Sequence, residues 1–237
     1  MARNVLIGTS GWSYDDWADR FYEGVPRSRW LEHYARTFPT VEVNNTFYRL
    51  ASEKAVRRWR EQVPDDFCFV VKGSRYITHQ LRLREPQQAL ERFFTPLAPL
   101  GEVLGTVLWQ LPPTMRLDLE RLDRFLSLVP ASCRHAVEFR HPSWLTAEAR
   151  AVLDRHGALH VNVSGPQLPQ DLHVTGGAVY VRFHGLRAGY AYDYTDDDLR
   201  PWVRHLRAQR SGFAFFNNDV GGHAVANAFR LRELLAG

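Results

Sequence analysis

Polar residues occupy alternate positions in several apolar segments, and their side chains could carry out acid–base chemistry. Glu42 lies in the segment TVEVN, Glu138 in HAVEF, and Lys72 at the end of FCFVVK. Arg182 and His184 lie in AVYVRFH. Two carboxylates in different environments can serve as acid and base, and a histidine can carry a proton near neutral pH. The predicted catalytic residues are Glu42, Lys72, Glu138, Arg182, His184 and Asp219.

Further polar and aromatic residues near the same segment ends could hold a substrate. Guanidinium groups bind phosphate or carboxylate in a bidentate manner, and amide side chains hydrogen-bond to hydroxyl groups. The predicted binding residues are Asn44, Tyr48, Arg75, His79, Gln110, Arg140, Trp144, Asn217 and Asn218. Together these groups suit a small polar molecule, either anionic or sugar-like. Isomerase, lyase and hydrolase reactions all stay open.

No cofactor is predicted, although a divalent metal is an alternative. Glu42, Glu138, His184 and Asp219 could supply a site of oxygen and imidazole ligands. The sequence has no His-Glu-x-x-His motif, and the abundant arginines and lysines would repel a divalent ion. A Schiff base on Lys72 is another alternative. It needs a desolvated amine with a lowered pKa, whereas the predicted neighbours favour a charged amine.

A nucleic-acid partner, including an endonuclease-like activity, is the alternative from a different functional class. Residues 72–84, KGSRYITHQLRLR, interleave basic side chains with Tyr76, a pattern that can follow phosphates and stack a base. The formal net charge of +4 is too small to favour nucleic acid by itself. A binding protein without turnover and a purely structural set of ion pairs also stay open.

The elements that must position these residues alternate between short strands and amphipathic helices. The eight predicted strands begin at Val5, Thr40, Phe67, Thr106, His135, Ala158, Ala178 and Phe213. The predicted helices cover residues 28–37, 52–62, 86–97, 118–128, 146–156, 195–209 and 223–235. Residues 164–177 contain two prolines and three glycines, which predicts a reduced or missing helix between strands six and seven.

This alternation predicts an α/β protein whose parallel strands close into a (β/α)8 barrel of the TIM type. Because side chains alternate across a strand, the polar residues would all point inward and meet at the C-terminal mouth. An open doubly wound sheet is the runner-up, but no Gly-x-Gly-x-x-Gly motif follows the first strand. We expect residues 1–237 to form a single domain.

Composition narrows the class of protein further. With 45% hydrophobic and 24% charged residues, the 237-residue chain is neither disordered nor collagen-like. Cys68 and Cys133 are too few for a disulfide framework and form no Cys-x-x-Cys pair. The start of the chain lacks the apolar core of a signal peptide, and no apolar run is long enough to span a membrane. We therefore expect a cytoplasmic protein with no membrane partner.

Several longer motifs resemble the DUF72 family, also called YecE-like. They include GTSGW from Gly8, TVEVNNTFYRL from Thr40, VVKGSRY from Val70 and EFRHPSW from Glu138. The resemblance runs from Gly8 to the last helix and implies a TIM-type barrel. It implies no reaction, since the family's function is unknown. The family motifs include Glu42, Lys72, Gln110, Glu138, Arg140, His141, Trp144, Arg182, His184, Asn217, Asn218 and Asp219. The departure from the family pattern is Gly73, where alanine is expected.

Overall fold

A computed structural model describes residues 4–166, 172–187 and 189–237. Its strands are β1 Asn4–Thr9, β2 Thr40–Val43, β3 Cys68–Lys72, β4 Leu104–Gln110, β5 Arg134–Glu138, β6 Leu159–Ser164, β7 Val179–Phe183 and β8 Ser211–Phe216. They form one sheet in the order β1-β8-β7-β6-β5-β4-β3-β2, and each ladder is parallel. All eight predicted strands are therefore confirmed, with ends shifted by one or two residues.

The sheet closes almost completely where β1 meets β2. Ser10 and Glu42 form an isolated parallel bridge between the two strands. The Tyr34 hydroxyl accepts a hydrogen bond from the Thr9 amide at 2.9 Å and donates one to the Thr40 carbonyl at 3.1 Å. The phenol thus takes the place of missing ladder bonds. The predicted TIM-type barrel is confirmed, and the open doubly wound sheet is wrong.

The helices lie between the strands in sequence, as the alternation predicts. They are α1 Trp30–Thr37, α2 Glu53–Glu61, α3 Gln87–Phe94, α4 Leu119–Leu128, α5 Ala147–Arg155, α6 Asp196–Arg207 and α7 His223–Ala236. The Thr195 hydroxyl and the Asp198 carboxylate form a capping box at the start of α6, which satisfies two backbone amides. Each helix starts and ends within a few residues of the predicted limits.

The connection from β6 to β7 has no helix in its described residues, 165–166 and 172–178. Residues 167–171, which belong to the predicted reduced helix, lie outside the described residues. The outer face of β6 is polar here. The Asn162 side-chain amide donates to the His173 carbonyl at 2.9 Å and accepts from the His173 amide at 2.8 Å. A hydrogen-bonded loop thus covers β6 where an apolar helix face is absent.

Alternation along the strands divides the core into two layers. Val179, Val181 and Phe183 pack in the large cluster outside the barrel, whereas Tyr180 belongs to the interior cluster. The inward side chains lower in the barrel are apolar, and those near the C-terminal strand ends are polar. The predicted inward phase of Glu42, Lys72, Gln110, Glu138 and Arg182 agrees with this division.

The glycine that departs from the family pattern has a packing reason. A Cβ atom on Gly73 would lie 2.2 Å from Cε3 of Trp109, far inside van der Waals contact. Trp109 is fully buried and belongs to the outer core. Alanine at position 73 would therefore force the indole to move.

None of the helices in the described residues is both long and apolar enough to cross a membrane.

Candidate functional site

A cavity of about 390 Å³ lies at the C-terminal mouth of the barrel. Its lining comes from the ends of strands β2, β3, β4 and β7 and from the loops that follow the strands. The lining residues are Tyr14, Asn44, Phe47, Tyr48, Lys72, Gln110, Arg140, Arg182, His184, Tyr190, Asn217 and Asp219. Nine of these twelve are predicted site residues, so the fold brings most of the predicted set together.

Arg182 lies between the two predicted catalytic carboxylates and binds both. Its Nη2 donates to Oε1 of Glu42 at 2.6 Å, and its Nε donates to Oε2 of Glu42 at 2.9 Å. Its Nη1 donates to Oε2 of Glu138. Arg182 is 1% exposed, and both carboxylates are fully buried. Glu42 and Glu138 therefore approach one guanidinium from two sides of the barrel.

The remaining lone pairs of Glu42 are occupied by hydroxyl groups. Ser10 Oγ donates to Oε1 at 2.7 Å, and the Tyr180 hydroxyl donates to Oε2 at 2.6 Å. Burial, followed by the neighbouring Glu42 charge, raises the pKa of Tyr180 well above its usual value, so the phenol stays a donor. Glu42 does not line the cavity. It binds Arg182 from beneath and offers no free oxygen to a substrate.

Glu138 is held in the same way by a second arginine. Its Oε1 accepts from Arg140 Nε and from Gln110 Nε2, the latter at 3.0 Å. Burial alone would raise the pKa of Glu138, but Arg140 and Arg182 hold it well below the usual range. Glu42, Glu138, Arg140 and Arg182 form a buried ion-pair network of two negative and two positive charges. The network has no net charge.

His184 is the neutral end of this network. Burial, followed by the Arg182 charge, lowers the pKa of His184 well below its usual value. Nε2 lies 3.2 Å from Nη1 of Arg182 and 3.3 Å from Nη2 of Arg140. Guanidinium groups only donate, so Nε2 accepts and the ring proton is on Nδ1. Nδ2 of Asn217 lies 3.1 Å from Nδ1. A proton on Nδ1 requires the Asn217 amide to turn by 180°, so that its oxygen becomes the acceptor.

Lys72 differs from the arginines because its ammonium group has no carboxylate partner. It is 8% exposed and lines the cavity, and Nζ lies 4.3 Å from the centroid of the Phe47 ring. Within the described residues, Nζ makes no hydrogen bond and no ion pair. Burial, followed by the Arg182 charge, lowers the pKa of Lys72 to about 8. Both buried glutamates are paired with arginines instead of with Lys72.

Asp219 is the carboxylate that remains available in the cavity. It follows β8, lines the cavity beside Tyr14, and forms no ion pair with a described residue. Burial, followed by the repulsion of Asp16, raises the pKa of Asp219 above its usual value. The Tyr14 hydroxyl donates to the Ser10 carbonyl at 2.5 Å, which fixes the ring beside Asp219. Asp219 therefore offers the cavity a carboxylate that no described arginine holds, unlike Glu42 and Glu138.

The sequence matches a family model whose description is "Protein of unknown function DUF72", over residues 6–237. The chain belongs to the DUF72 family. The UPF0759 protein YecE of Escherichia coli (strain K12) is 37% identical over 153 residues, 64% of this chain and 54% of YecE. The match therefore spans about half the length of that relative. The UPF0759 protein YunF of Bacillus subtilis (strain 168) is 26% identical, across 98% of this chain and 94% of YunF.

Solved DUF72 structures have the same barrel. A DUF72 family protein from Thermotoga maritima MSB8 has a TM-score of 0.88 at 31% identity, covering 99% of this chain and 100% of that chain. A DUF72 family protein from Enterococcus faecalis V583 has a TM-score of 0.82 at 21% identity, covering 98% of this chain and 96% of that chain. The second likeness concerns the fold alone. These relatives establish the family and the architecture, and their names state no reaction.

The other predicted binding residues of this DUF72 chain divide into three groups. Asn44, Tyr48 and Asn217 line the cavity. Arg75 and His79 lie in the short π-helix Tyr76–Gln80 and its N-cap after β3, outside the cavity lining. Burial, followed by the charges of Lys72 and Arg75, lowers the pKa of His79, so its imidazole adds no positive charge at neutral pH. Trp144 and Asn218 are buried elsewhere in the fold.

Trp144 and Asn218 stabilise loops and do not line the cavity. Trp144 is 1% exposed, donates through Nε1 to the Met115 carbonyl at 2.7 Å, and stacks on Phe139. Asn218 is fully buried and donates to the Asn227 side chain at 2.7 Å. Both residues occur in family motifs for a packing reason that a motif alone does not reveal.

Sequence reasoning missed Tyr190 as a cavity residue and Tyr180 as a partner of Glu42. It placed Tyr14 and Phe47 among the aromatic residues of the mouth loops that could stack on a ligand or only pack. Tyr180 lies two positions before Arg182 on the same strand face, so the inward phase could have indicated it. Tyr14, Phe47 and Tyr190 lie in loops that follow strands, where strand phase gives no direction.

The candidate metal set of Glu42, Glu138, His184 and Asp219 does not form a ligand cluster. Arg182 occupies the space between the two glutamates, and its guanidinium also lies against the imidazole. Among the described residues, no group of three or more His, Cys, Asp or Glu side chains could hold a metal ion. His184 Nε2 lies 3.9 Å from Glu138 Oε1.

Proposed function

We propose that the cavity at the barrel mouth is an active site that moves a proton on a small, polar, anionic substrate. The substrate class is a molecule that carries a phosphate or carboxylate group, and the reaction class is isomerase, lyase or hydrolase chemistry. One observation carries the proposal. Lys72 and Asp219 line the same cavity, and neither has an ion-pair partner among the described residues.

Lys72 supplies the positive charge for the substrate. A buried cation without a partner is costly, and such groups concentrate at functional sites. With a pKa of about 8, the amine is mostly protonated at neutral pH and can bind a phosphate or carboxylate oxygen. Arg140 also lines the cavity, with a side chain 19% exposed. Its guanidinium adds a second donor group toward the same space.

Asp219 supplies the proton acceptor. A general base works best when its pKa lies near the operating pH, and the raised pKa of Asp219 moves it in that direction. Glu42 and Glu138 position Arg182 and take no part in proton transfer. A volume of about 390 Å³ fits a small molecule, within the range of roughly 300–1,000 Å³ common for such sites.

Deuterium exchange tests the proton-transfer step without knowledge of the complete reaction. The protein is incubated in D2O with dihydroxyacetone phosphate, glucose 6-phosphate, pyruvate or malate, and loss of carbon-bound protons is followed by NMR. We expect exchange with at least one probe, and Asp219→Asn should slow it at least about 100-fold, because general-base contributions are of this size. The matched control is Asp19→Asn, an exposed acid outside the cavity.

Calorimetry tests the anion-binding step separately. Inorganic phosphate should bind the wild-type protein, and Lys72→Met should weaken this binding at least about tenfold, because a charged hydrogen-bonding group is lost. Wild-type affinity should fall as the pH rises through about 8, where Lys72 loses its proton. Unchanged phosphate affinity in Lys72→Met would contradict the proposal. Binding with neither exchange nor hydrolysis would instead indicate a binding protein without turnover.

Nucleic-acid binding is the second candidate function. Arg75, Tyr76 and Arg84 are exposed in the segment after β3, where residues Tyr76–Gln80 form a short π-helix. Exposed cations that flank an aromatic ring can bind phosphates and stack a base. A gel shift with single-stranded and duplex oligonucleotides, repeated across salt concentrations, tests this candidate. Affinity that falls steeply with salt in the wild type, and less steeply in Arg75→Gln, supports it. Binding that ignores salt contradicts it.

A further inference from the structure

A second cavity, of about 210 Å³, shares Tyr14 and Asn44 with the cavity that contains Lys72. Its other walls include Trp12, Ser13, Val43 and Asn45, from the loop after β1 and the end of β2. The walls combine an indole, a phenol and an isopropyl group with amides at the rim. The two cavities therefore differ in character, since the first is lined by three cationic side chains and the second has none and includes two aromatic rings.

The walls of the second cavity are fixed by contacts within the protein. The Tyr14 hydroxyl donates a hydrogen bond to the Ser10 carbonyl. The Trp12 ring packs edge-on against the Trp59 ring, with 5.7 Å between the ring centroids. Gly11 has a φ of +96°, and a Cβ atom there would lie 2.6 Å from the Tyr14 hydroxyl. The cavity is thus preformed by a glycine turn and two held aromatic rings.

Asn44 provides the polar group that points to a ligand. Its Oδ1 atom is buried and has no hydrogen-bond partner among the residues that the structure describes. A buried acceptor without a donor costs free energy. A ligand hydroxyl or amine can recover this cost when the Asn44 side chain turns its oxygen toward the cavity, because this atom is covered in the unliganded protein. Because Asn44 lines both cavities, such a donor would lie at their junction.

We propose that the two cavities bind one ligand, an anion that carries a ring with a hydroxyl or amino group. This inference rests on the proposed anion binding by Lys72. The anionic group lies toward Lys72, the hydroxyl or amino group donates to Asn44 Oδ1, and the ring packs on Trp12. Sugar phosphates and nucleoside monophosphates share this chemistry, so both serve as probes.

Calorimetry with inorganic phosphate, glucose 6-phosphate and AMP measures the contribution of the second cavity. At least one ring-bearing phosphate should bind at least about tenfold more tightly than inorganic phosphate, since it satisfies Asn44 and covers an aromatic surface. Trp12→Ala should remove this gain and retain the phosphate affinity. Ser13→Phe should do the same by filling the cavity from its rim, without removing a packed side chain.

Phe229→Ala is the matched control, since Phe229 is an exposed aromatic residue on α7 that lines neither cavity. It should leave all three affinities unchanged. Phosphate binding with no gain for either ring-bearing probe would overturn the inference and leave the proposed function intact. Failure of the wild type to bind phosphate would overturn both. A gain for glucose 6-phosphate alone or AMP alone would support the inference and identify the kind of ring.

Discussion

Arg182 and Lys72 are neighbouring buried cations at the barrel mouth, yet their surroundings are opposite. Arg182 has two carboxylate partners and lies in a network without net charge. Lys72 contacts an aromatic ring and has no carboxylate partner among the described residues. The first arrangement stabilises charges that the fold itself requires. The second arrangement leaves the Lys72 charge available to a molecule that enters the cavity. The comparison thus separates residues that stabilise the site from residues that can contact a ligand.

Replacement of Arg182 should have the largest effect on stability. Arg182→Met leaves Glu42 and Glu138 buried without their shared counterion, and loss of one partner in a buried pair costs about 3–5 kcal/mol. Urea unfolding at pH 7 measures the loss. A change below about 1 kcal/mol would mean that the network does not hold the barrel together.

Replacement of Lys72 should increase the free energy of unfolding at neutral pH, in contrast to replacement of Arg182. Its pKa falls from 10.5 in the unfolded chain to about 8 in the folded protein, so folding releases protons between these values. Stability therefore rises as the pH increases from about 8 to 10.5, and below pH 8 the buried charge costs about 3 kcal/mol. Lys72→Met should gain about this amount at pH 7 and nothing above pH 10.5. A loss of stability at pH 7 would show that Lys72 has a partner after all.

The Tyr180 hydroxyl should make an intermediate contribution. Tyr180→Phe removes the 2.6 Å hydrogen bond to Glu42, and a bond to a charged group contributes about 1.5–3 kcal/mol. Tyr190→Phe, at an exposed phenol on the rim, is the control and should be neutral. Thermal unfolding of the two variants compares them directly. Equal effects would indicate that Glu42 is satisfied without Tyr180.

The smallest expected effect belongs to His184. The pKa of His184 lies well below 6.5 in the folded protein. As the pH falls, this imidazole is therefore protonated in the unfolded chain before it is protonated in the folded protein. The contribution of neutral His184 is therefore present above pH 6.5 and declines below it, by at most about 1.4 kcal/mol per pH unit. His184→Gln should have a shallower dependence in this range. Identical slopes for the two proteins would assign the proton uptake to another group.

The sequence allowed prediction of the barrel and of which residues face its interior. Alternation along each strand is enough to place Glu42, Glu138 and Arg182 inward at the mouth. It does not determine which inward groups lie at the same height in the barrel. Only the three-dimensional structure therefore shows that both glutamates pair with Arg182 and that Lys72 pairs with neither. Trp144 and Asn218 follow strands within family motifs, but loop geometry directs them into packed interiors.

The barrel closes at β1 and β2 through one backbone bridge and one phenol, which makes this seam the weakest join in the sheet. Glu42 belongs to that bridge, and its carboxylate reaches across the barrel to Arg182 on β7. Arg182 in turn holds Glu138 on β5. The ion pairs thus connect β2, β5 and β7 across the barrel interior. Amide hydrogen exchange at the junction of β1 and β2 should therefore become faster in variants that remove one of these charges, even when the replaced side chain lies on β5 or β7.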